Sequence, residues 1–381
     1  MSKPCLMIVA GERSGDLYGA GLAWALRERL DNPELFGCGG DAMRGAGVET
    51  VVDAHRIAMM GLTEVLGGLP RAYRAFRTLL AEADRRRPRL AVLIDFPDFN
   101  LRLAKRLKKR NIPVVYFVSP QVWAWRKSRL RQLKSSIAKM LCIFDFEEAL
   151  YRQAGIPVEF VGHPLAGLVR PRLTRQDFLG GLELDPAKPT VALLPGSRVK
   201  EVGQILPTLL EAANRLALTR EVQFVVAVAP TLDPHWVAKL VLEHYAGRAT
   251  VIRTASQSTY DALAHSDLAV VASGTATLEA ALLERPMVVV YRFSPLTYLL
   301  GKILVHLPYY SMVNILARRP VVPELIQRDF TSAQVAARVE YLLDHPQARQ
   351  EMTGELRAIK DRLGPPGALG RAAAAVVSLL Q

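Results

Sequence analysis

"VAGERSGDLYG" (Val9–Gly19) follows the apolar run Cys5-Leu6-Met7-Ile8. A strand, a glycine-bearing turn and an amphipathic helix open many doubly wound α/β domains. Tyr18, Leu22, Leu26 and Leu30 recur every fourth residue, the spacing of one buried helical face. A dinucleotide site would need G-x-G-x-x-G and an acidic residue about 20 positions on. Gly11, Gly15 and Gly19 do not supply that spacing. The turn has the position of a nucleotide loop without its glycine code.

Outward from this start, short β-branched runs alternate with longer amphipathic stretches. Strands are expected at 5–10, 90–94, 114–118, 140–144 and 158–161. A second series is expected at 190–194, 223–228, 249–252, 268–272 and 287–291. Runs apolar throughout, without alternation, indicate parallel sheets covered on both faces. Val202, Ile205, Leu206, Leu209, Leu210 and Ala213 follow the three-four spacing of a helix between two of them. At 381 residues the chain exceeds one ordinary core. Prolines, glycines and charges at 164–189 mark a boundary between two doubly wound halves, with a cleft between them where ligands meet the carboxyl ends of the strands. "GPPGALG" (364–370) breaks the helices before an Ala-rich terminal one.

Half the residues are hydrophobic, which excludes disordered and fibrous classes. A net charge of +13 asks for an acidic partner class, either nucleic acid, anionic lipid or phosphorylated small molecules, unless it belongs to a generally Arg-rich proteome. Cys5, Cys38 and Cys142 lack metal spacing and are expected as reduced core residues of a cytoplasmic protein. Met1-Ser2-Lys3-Pro4 leads straight into a strand, so no signal peptide is expected. The stretch 296–317 is broken by Lys302, His306 and Pro308, short of the roughly 20 apolar residues a spanning helix needs.

Several strand ends carry turns with chemical content. After Leu194 comes Pro195-Gly196-Ser197-Arg198, where glycine lets backbone N–H groups approach an anion and arginine adds a two-pronged phosphate grip. After Ala272 comes Ser273-Gly274-Thr275-Ala276-Thr277-Leu278-Glu279, a helix start whose N–H groups and dipole suit a diphosphate. Glu279, one turn on, could accept from ribose hydroxyls. Either turn alone is also what ordinary helix capping looks like. Asp95 ends a strand in "IDFPDFNLRLAK" and is a candidate general base, with Asp98 a candidate cap and Asn100 just beyond. His163 in "FVGHPL" has the look of a structural histidine. Trp123 and Trp125 in "YFVSPQVWAW" are either core or an aromatic wall for a sugar or acyl chain. Met59, Met60, Leu62, Leu66 and Leu69, then Arg71, Arg74 and Arg77, suit either a helix on an anionic membrane or a buried helix with a solvated basic face.

Taken together, "AGERSGD", "MGLTEVL", "DFPDFN", "VSPQVWAWR", "FVGHPL", "LLPGSR", "SGTATLEAAL" and "PMVVVYR" resemble the lipid-A-disaccharide synthase family, glycosyltransferases of bacterial outer-membrane lipid biosynthesis. The motifs stand in family order over residues 8–292. The resemblance implies an α/β, GT-B fold of two Rossmann-like doubly wound domains facing a central cleft. Residues 1–168 would take the acceptor and face the membrane, residues 169–344 would bind the UDP-sugar, and terminal helices at about 345–381 would pack back on the first domain. It implies condensation of UDP-2,3-diacylglucosamine with 2,3-diacylglucosamine 1-phosphate (lipid X), giving a β(1→6) disaccharide 1-phosphate and UDP. The implied donor-side residues are Gly196, Ser197, Arg198, Ser273, Gly274, Thr275, Thr277, Glu279 and Asn314. Those of the acceptor side are Glu12, Ser14, Asp16, Asp98, Asn100, Gln121 and Trp123, so the opening turn becomes a substrate loop. Asp145-Phe146-Glu147 departs from the family's usual Pro-Phe-Glu.

A β product from an α-linked sugar nucleotide is an inversion, needing one base and positive potential at the departing diphosphate. Asp95 is the expected base; Arg198 and the helix at Gly274 supply the potential. No Asp-x-Asp motif appears, and neither metal nor other cofactor is expected. The implied setting is peripheral, on the cytoplasmic side of a Gram-negative inner membrane and against its anionic phospholipid, with a homodimer left open. A rival enzyme is another UDP-sugar glycosyltransferase or epimerase of GT-B fold. A non-catalytic nucleotide- or lipid-sensing module would keep "SGTATLE" without needing Asp95. Nucleic acid is not expected, because the basic residues are dispersed and no binding motif accompanies them.

Overall fold

The computed structural model describes residues 3–54, 65–120, 129–244, 251–293 and 308–380, with the backbone alone at 65–69. The chain forms two compact units, Met1–Gly167 with Leu363–Gln381, and Leu168–Arg362.

In the first unit seven strands form a parallel sheet: β1 Cys5–Ala10, β2 Glu34–Gly39, β3 Glu49–Asp53, β4 Leu90–Ile94, β5 Val114–Phe117, β6 Lys139–Cys142 and β7 Val158–Phe160. Their order is β3-β2-β1-β4-β5-β6-β7, so the winding reverses between β1 and β4. β1, β4 and β5 are buried along their whole length, which is why they are apolar without alternation. β2 and β3 were not among the expected strands, and the reason is local. β2 is interrupted by glycine because a Cβ at Gly37 would stand 1.9 Å from the Ile8 carbonyl oxygen. β3, at the sheet edge, is only partly buried and carries too little apolar pattern.

The helix Ala368–Val377 packs on the helix Arg13–Arg27 of this unit. Arg371 fixes it by donating to the Val161 carbonyl at 2.9 Å, and the Arg89 guanidinium donates to the Leu380 carbonyl. The expected return at about 345 needs correction. The helix Pro346–Arg362 stays with the second unit, where Met352, Leu356 and Ile359 are buried and Arg357 and Lys360 both bind Glu284. Only the chain from Leu363 returns.

The second unit holds six parallel strands: β8 Thr190–Leu194, β9 Gln223–Val228, β10 Val251–Ser256, β11 Leu268–Ala272, β12 Met287–Tyr291 and β13 Glu324–Ile326. The order β10-β9-β8-β11-β12-β13 reverses between β8 and β11. The helix Val199–Ala217 buries the six apolar residues whose spacing predicted it. β13 has three residues, too short to leave a periodic signal. Cys5, Cys38 and Cys142 are free and buried. No helix among the described residues is long and apolar enough to cross a membrane.

Candidate active site

Ala10 and Ile94 are register partners at the carboxyl ends of β1 and β4, the place where the first sheet reverses its winding. Ligands of open parallel sheets gather beyond such a switch point. The chain beyond β1 is Gly11-Glu12, and beyond β4 it is Asp95-Phe96. Asp95 and Phe96 both have left-handed backbones, with φ of 46° and 48°. Side-chain-bearing residues adopt this conformation only when their surroundings impose it.

Those surroundings are specific. The Asp95 N–H donates to the Phe117 carbonyl at 2.9 Å. Its own carbonyl accepts from the Tyr116 hydroxyl at 2.6 Å and from the Asn100 amide at 2.8 Å. Phe96 packs on Gly11 and lies 5.5 Å, centroid to centroid, from Phe99. Burial first, and the negative charge of Glu12 second, raise the Asp95 carboxyl to about 7, with the Phe96 main-chain N–H working against both. A carboxylate poised near neutrality and held at a switch point is what a general base requires.

Other acceptor-side residues fall into two groups. Glu12 is exposed and makes no side-chain cap on the helix Arg13–Arg27, and Ser14 is partly buried in that helix's first turn. Asp16 and Asn100 have their polar atoms taken up inside the fold. The Asp16 carboxylate accepts from the N–H groups of Gly40 (2.6 Å), Ala42 (3.1 Å) and Met43 (3.2 Å), so it caps the helix Asp41–Gly45. The Asn100 amide donates to the carbonyls of Ile94 and Asp95 beneath the loop. Asp98 is exposed and ion-paired with the buried Arg129. His163 is buried, its Nδ1 accepts from the Leu165 N–H, and burial drives it down to about 3, so it stays neutral. Asp145 accepts from the Phe146 N–H, and Glu147 from that of Phe144, which closes the start of the helix Asp145–Gln153.

Gln121, Trp123, Trp125, Met59, Met60 and Leu62 lie outside the described residues, as do the side chains of Leu66 and Leu69. Along the helix Val65–Arg86, Ala75, Leu79 and Ala83 are buried, while Arg71, Arg74, Arg77 and Tyr73 are exposed.

The second sheet has its own switch point between β8 and β11. Beyond β8, Gly196 takes φ 123°, and a Cβ there would stand 2.3 Å from the Glu201 carboxylate. That carboxylate accepts the Ser197 N–H at 2.9 Å, and Thr231 donates to the Ser197 carbonyl at 2.6 Å. The turn therefore does hold an anion, and it is the carboxylate of the helix that follows. The Ser197 N–H is occupied, while Arg198 stands exposed. Beyond β11, Gly274 and Thr275 are exposed at the start of the helix Thr275–Leu282. Thr277 is buried and returns its hydroxyl to the Gly274 carbonyl, and Ser273 gives its own to the Tyr310 carbonyl. Glu279 is partly buried and accepts from the Tyr260 hydroxyl. Asn314 is buried, accepting from the N–H groups of Val321 and Val322 and donating to Glu324, so its amide is committed to the fold. An asparagine's partners across a loop leave no trace in sequence spacing. Nor does local spacing single out Tyr116 or Glu201. The one mark of Tyr116 in the sequence is a hydroxyl in a strand otherwise wholly apolar.

Two doubly wound units, each built on a parallel sheet with a switch point, one carrying Asp95 there and the other an exposed arginine and a helix start, have the GT-B fold. The CalG4 calicheamicin glycosyltransferase shares the fold at a TM-score of 0.62 and 14% identity, covering 100% of this chain and 99% of that one. A UDP-N-acetylglucosamine 2-epimerase from Listeria monocytogenes, itself described as putative, does so at 0.66 and 13%, covering 99% and 96%. Sequence narrows the class. The lipid-A-disaccharide synthetase family matches residues 6–365. The lipid-A-disaccharide synthase of Solibacter usitatus is 44% identical over 379 residues, 99% of this chain and 98% of the relative. The chain belongs to the lipid-A-disaccharide synthase family.

Proposed function

We propose that the protein condenses UDP-2,3-diacylglucosamine with 2,3-diacylglucosamine 1-phosphate, releasing UDP and the β(1→6)-linked disaccharide 1-phosphate. The observation that carries this reading is the family match, continuous over residues 6–365. The epimerase likeness rests on fold alone and does not compete with it.

In this reading the first unit takes the lipid acceptor and the second the UDP-sugar. Asp95 removes the proton from the acceptor's sixth-carbon hydroxyl as that oxygen attacks the anomeric carbon. The bond from that carbon to the diphosphate breaks on the opposite face, and its electron pair leaves with UDP. One displacement inverts the centre and gives the β link. Arg198 and the helix start at Gly274 and Thr275 balance the charge that grows on the leaving diphosphate, where fixed positive potential favours the transition state. The proton on Asp95 passes to solvent. Ser197, Ser273, Thr277 and Glu279 complete the donor loops, while Asp16, Asn100 and Asn314 act from behind by holding loop backbones. Arg71, Arg74 and Arg77 face anionic phospholipid, from which both acylated substrates arrive.

The test is incubation of the purified protein with the two lipid substrates, followed by mass analysis. A disaccharide 1-phosphate appearing in step with UDP is expected. An epimerised nucleotide sugar, or UDP release without disaccharide, would overturn the assignment.

A further inference from the structure

We infer that Tyr116 is a positioning residue for the transfer, aiming the Asp95 carboxyl through a hydrogen bond to the Asp95 main-chain oxygen. The inference rests on the reading of Asp95 as base. Tyr116 lies in β5, beside β4, and is fully buried. Its strand neighbours are Val114, Val115 and Phe117, so a phenylalanine would fill the same space with no polar atom to satisfy. The chain instead places a hydroxyl there, and its one proton goes to the Asp95 carbonyl at 2.6 Å.

That oxygen is the point where the loop is held from both sides. The Asn100 amide reaches it from the helix Pro97–Lys108, and Tyr116 reaches it from the sheet. Asn100 also serves the Ile94 carbonyl, and its Oδ1 has no partner among the described residues. Asn100 therefore divides its amide between two carbonyls, whereas the Tyr116 hydroxyl serves that of Asp95 alone. Carbonyl direction and Cα–Cβ direction are coupled through one tetrahedral carbon. Fixing the carbonyl of a left-handed Asp95, with its N–H held by Phe117, thus sets the Cα–Cβ direction from which its carboxyl extends. Burial keeps the Tyr116 hydroxyl well above the usual tyrosine range, so it remains a donor at any working pH.

Tyr116→Phe removes one oxygen and keeps the ring. Turnover is expected to fall about tenfold, within the roughly 100-fold cost of a misplacement of about 1 Å, while the donor KM and UDP affinity stay unchanged. Tyr151→Phe is the control, because it removes another buried hydroxyl of this unit, bonded at 2.7 Å to Ser119. It should leave turnover unchanged. In an Asp95→Asn background, Tyr116→Phe should add nothing further, since Tyr116 acts through the Asp95 carboxylate. Full activity of Asp95→Asn alone would refute the base reading. An inactive Asp95→Asn with normal turnover in Tyr116→Phe would refute the positioning role only. Equal losses from Tyr116→Phe in both backgrounds would do the same. So would a Tyr116→Phe chain that cannot fold while Tyr151→Phe can, because the hydroxyl would then be a folding requirement.

Discussion

Phe96 lays its ring where a side chain on Gly11 would have to stand: a Cβ built there is 2.3 Å from the ring. The first glycine of "AGERSGD" thus answers to an aromatic ring beyond β4 and not to a phosphate. Phe96 follows Asp95 directly, so the contact at Gly11 helps seat the proposed base.

Gly11→Ala should therefore damage both stability and activity. Overpacking of this kind costs about 1–3 kcal/mol. Urea unfolding would read the first effect and steady-state kinetics the second. Lost stability with normal turnover would mean that the ring moves without taking Asp95 along.

With Asp95 raised to about 7, the proposed base is largely protonated in mild acid. Turnover should climb about tenfold per pH unit below that value and level off above it. Glu12→Gln removes a negative neighbour, so the rising limb should move to lower pH. The stability sign follows from linkage. A carboxyl whose folded value lies above its unfolded value of about 3.9 binds its proton more tightly when native. Its contribution is fully present below about pH 4 and is lost as pH rises through about 7. Asp95→Asn should therefore melt higher than the parent at pH 8, with the gap closing near pH 4. An equal gap at both values would contradict the shift.

Arg198 stands exposed beyond β8 at the start of a helix, with the Ser197 N–H already taken by Glu201. In this turn the arginine, more than the backbone, is the group that the proposed donor diphosphate would meet. Arg198→Ala should lower catalytic efficiency by about 2–4 kcal/mol, with turnover falling as well as UDP affinity. Lysine should rescue in part, since it keeps the charge and loses the planar fork. A raised donor KM with unchanged turnover and full rescue by lysine would reduce Arg198 to an anchor.

Asp16 gives the opposite signature. Its carboxylate satisfies three main-chain N–H groups, and each buried donor left bare costs about 1–3 kcal/mol. Asp16→Ala should lower the unfolding midpoint sharply and leave the acceptor KM of the surviving folded protein unchanged. A stable variant with a raised acceptor KM would return Asp16 to direct substrate contact.

Arg71, Arg74 and Arg77 are exposed, and none has an ion-pair partner among the described residues. Changing all three to Ser should weaken sedimentation with anionic vesicles by about 1 kcal/mol per charge, and added salt should mimic the change. Binding indifferent to both would assign this face to solvent alone.

Local pattern was enough for the fold class, the family and most of the sheet. β1, β4, β8, β9, β11 and β12 run over the expected residues because strands buried on both faces must be apolar end to end. It also marked Asp95, Arg198 and Gly274, because residues at strand ends and helix starts can be located from local pattern alone. Tertiary structure decided what those local patterns leave open. It gave β2 its glycine through the Ile8 carbonyl, sent Pro346–Arg362 to the second unit, and committed Asp16 to a helix start 24 residues on and Asn314 to the loop that follows its own helix. It also joined Tyr116 to the Asp95 carbonyl, across 21 residues of sequence. A hydrogen bond between neighbouring strands depends on register and burial, and neither is encoded within the reach of a single strand's pattern.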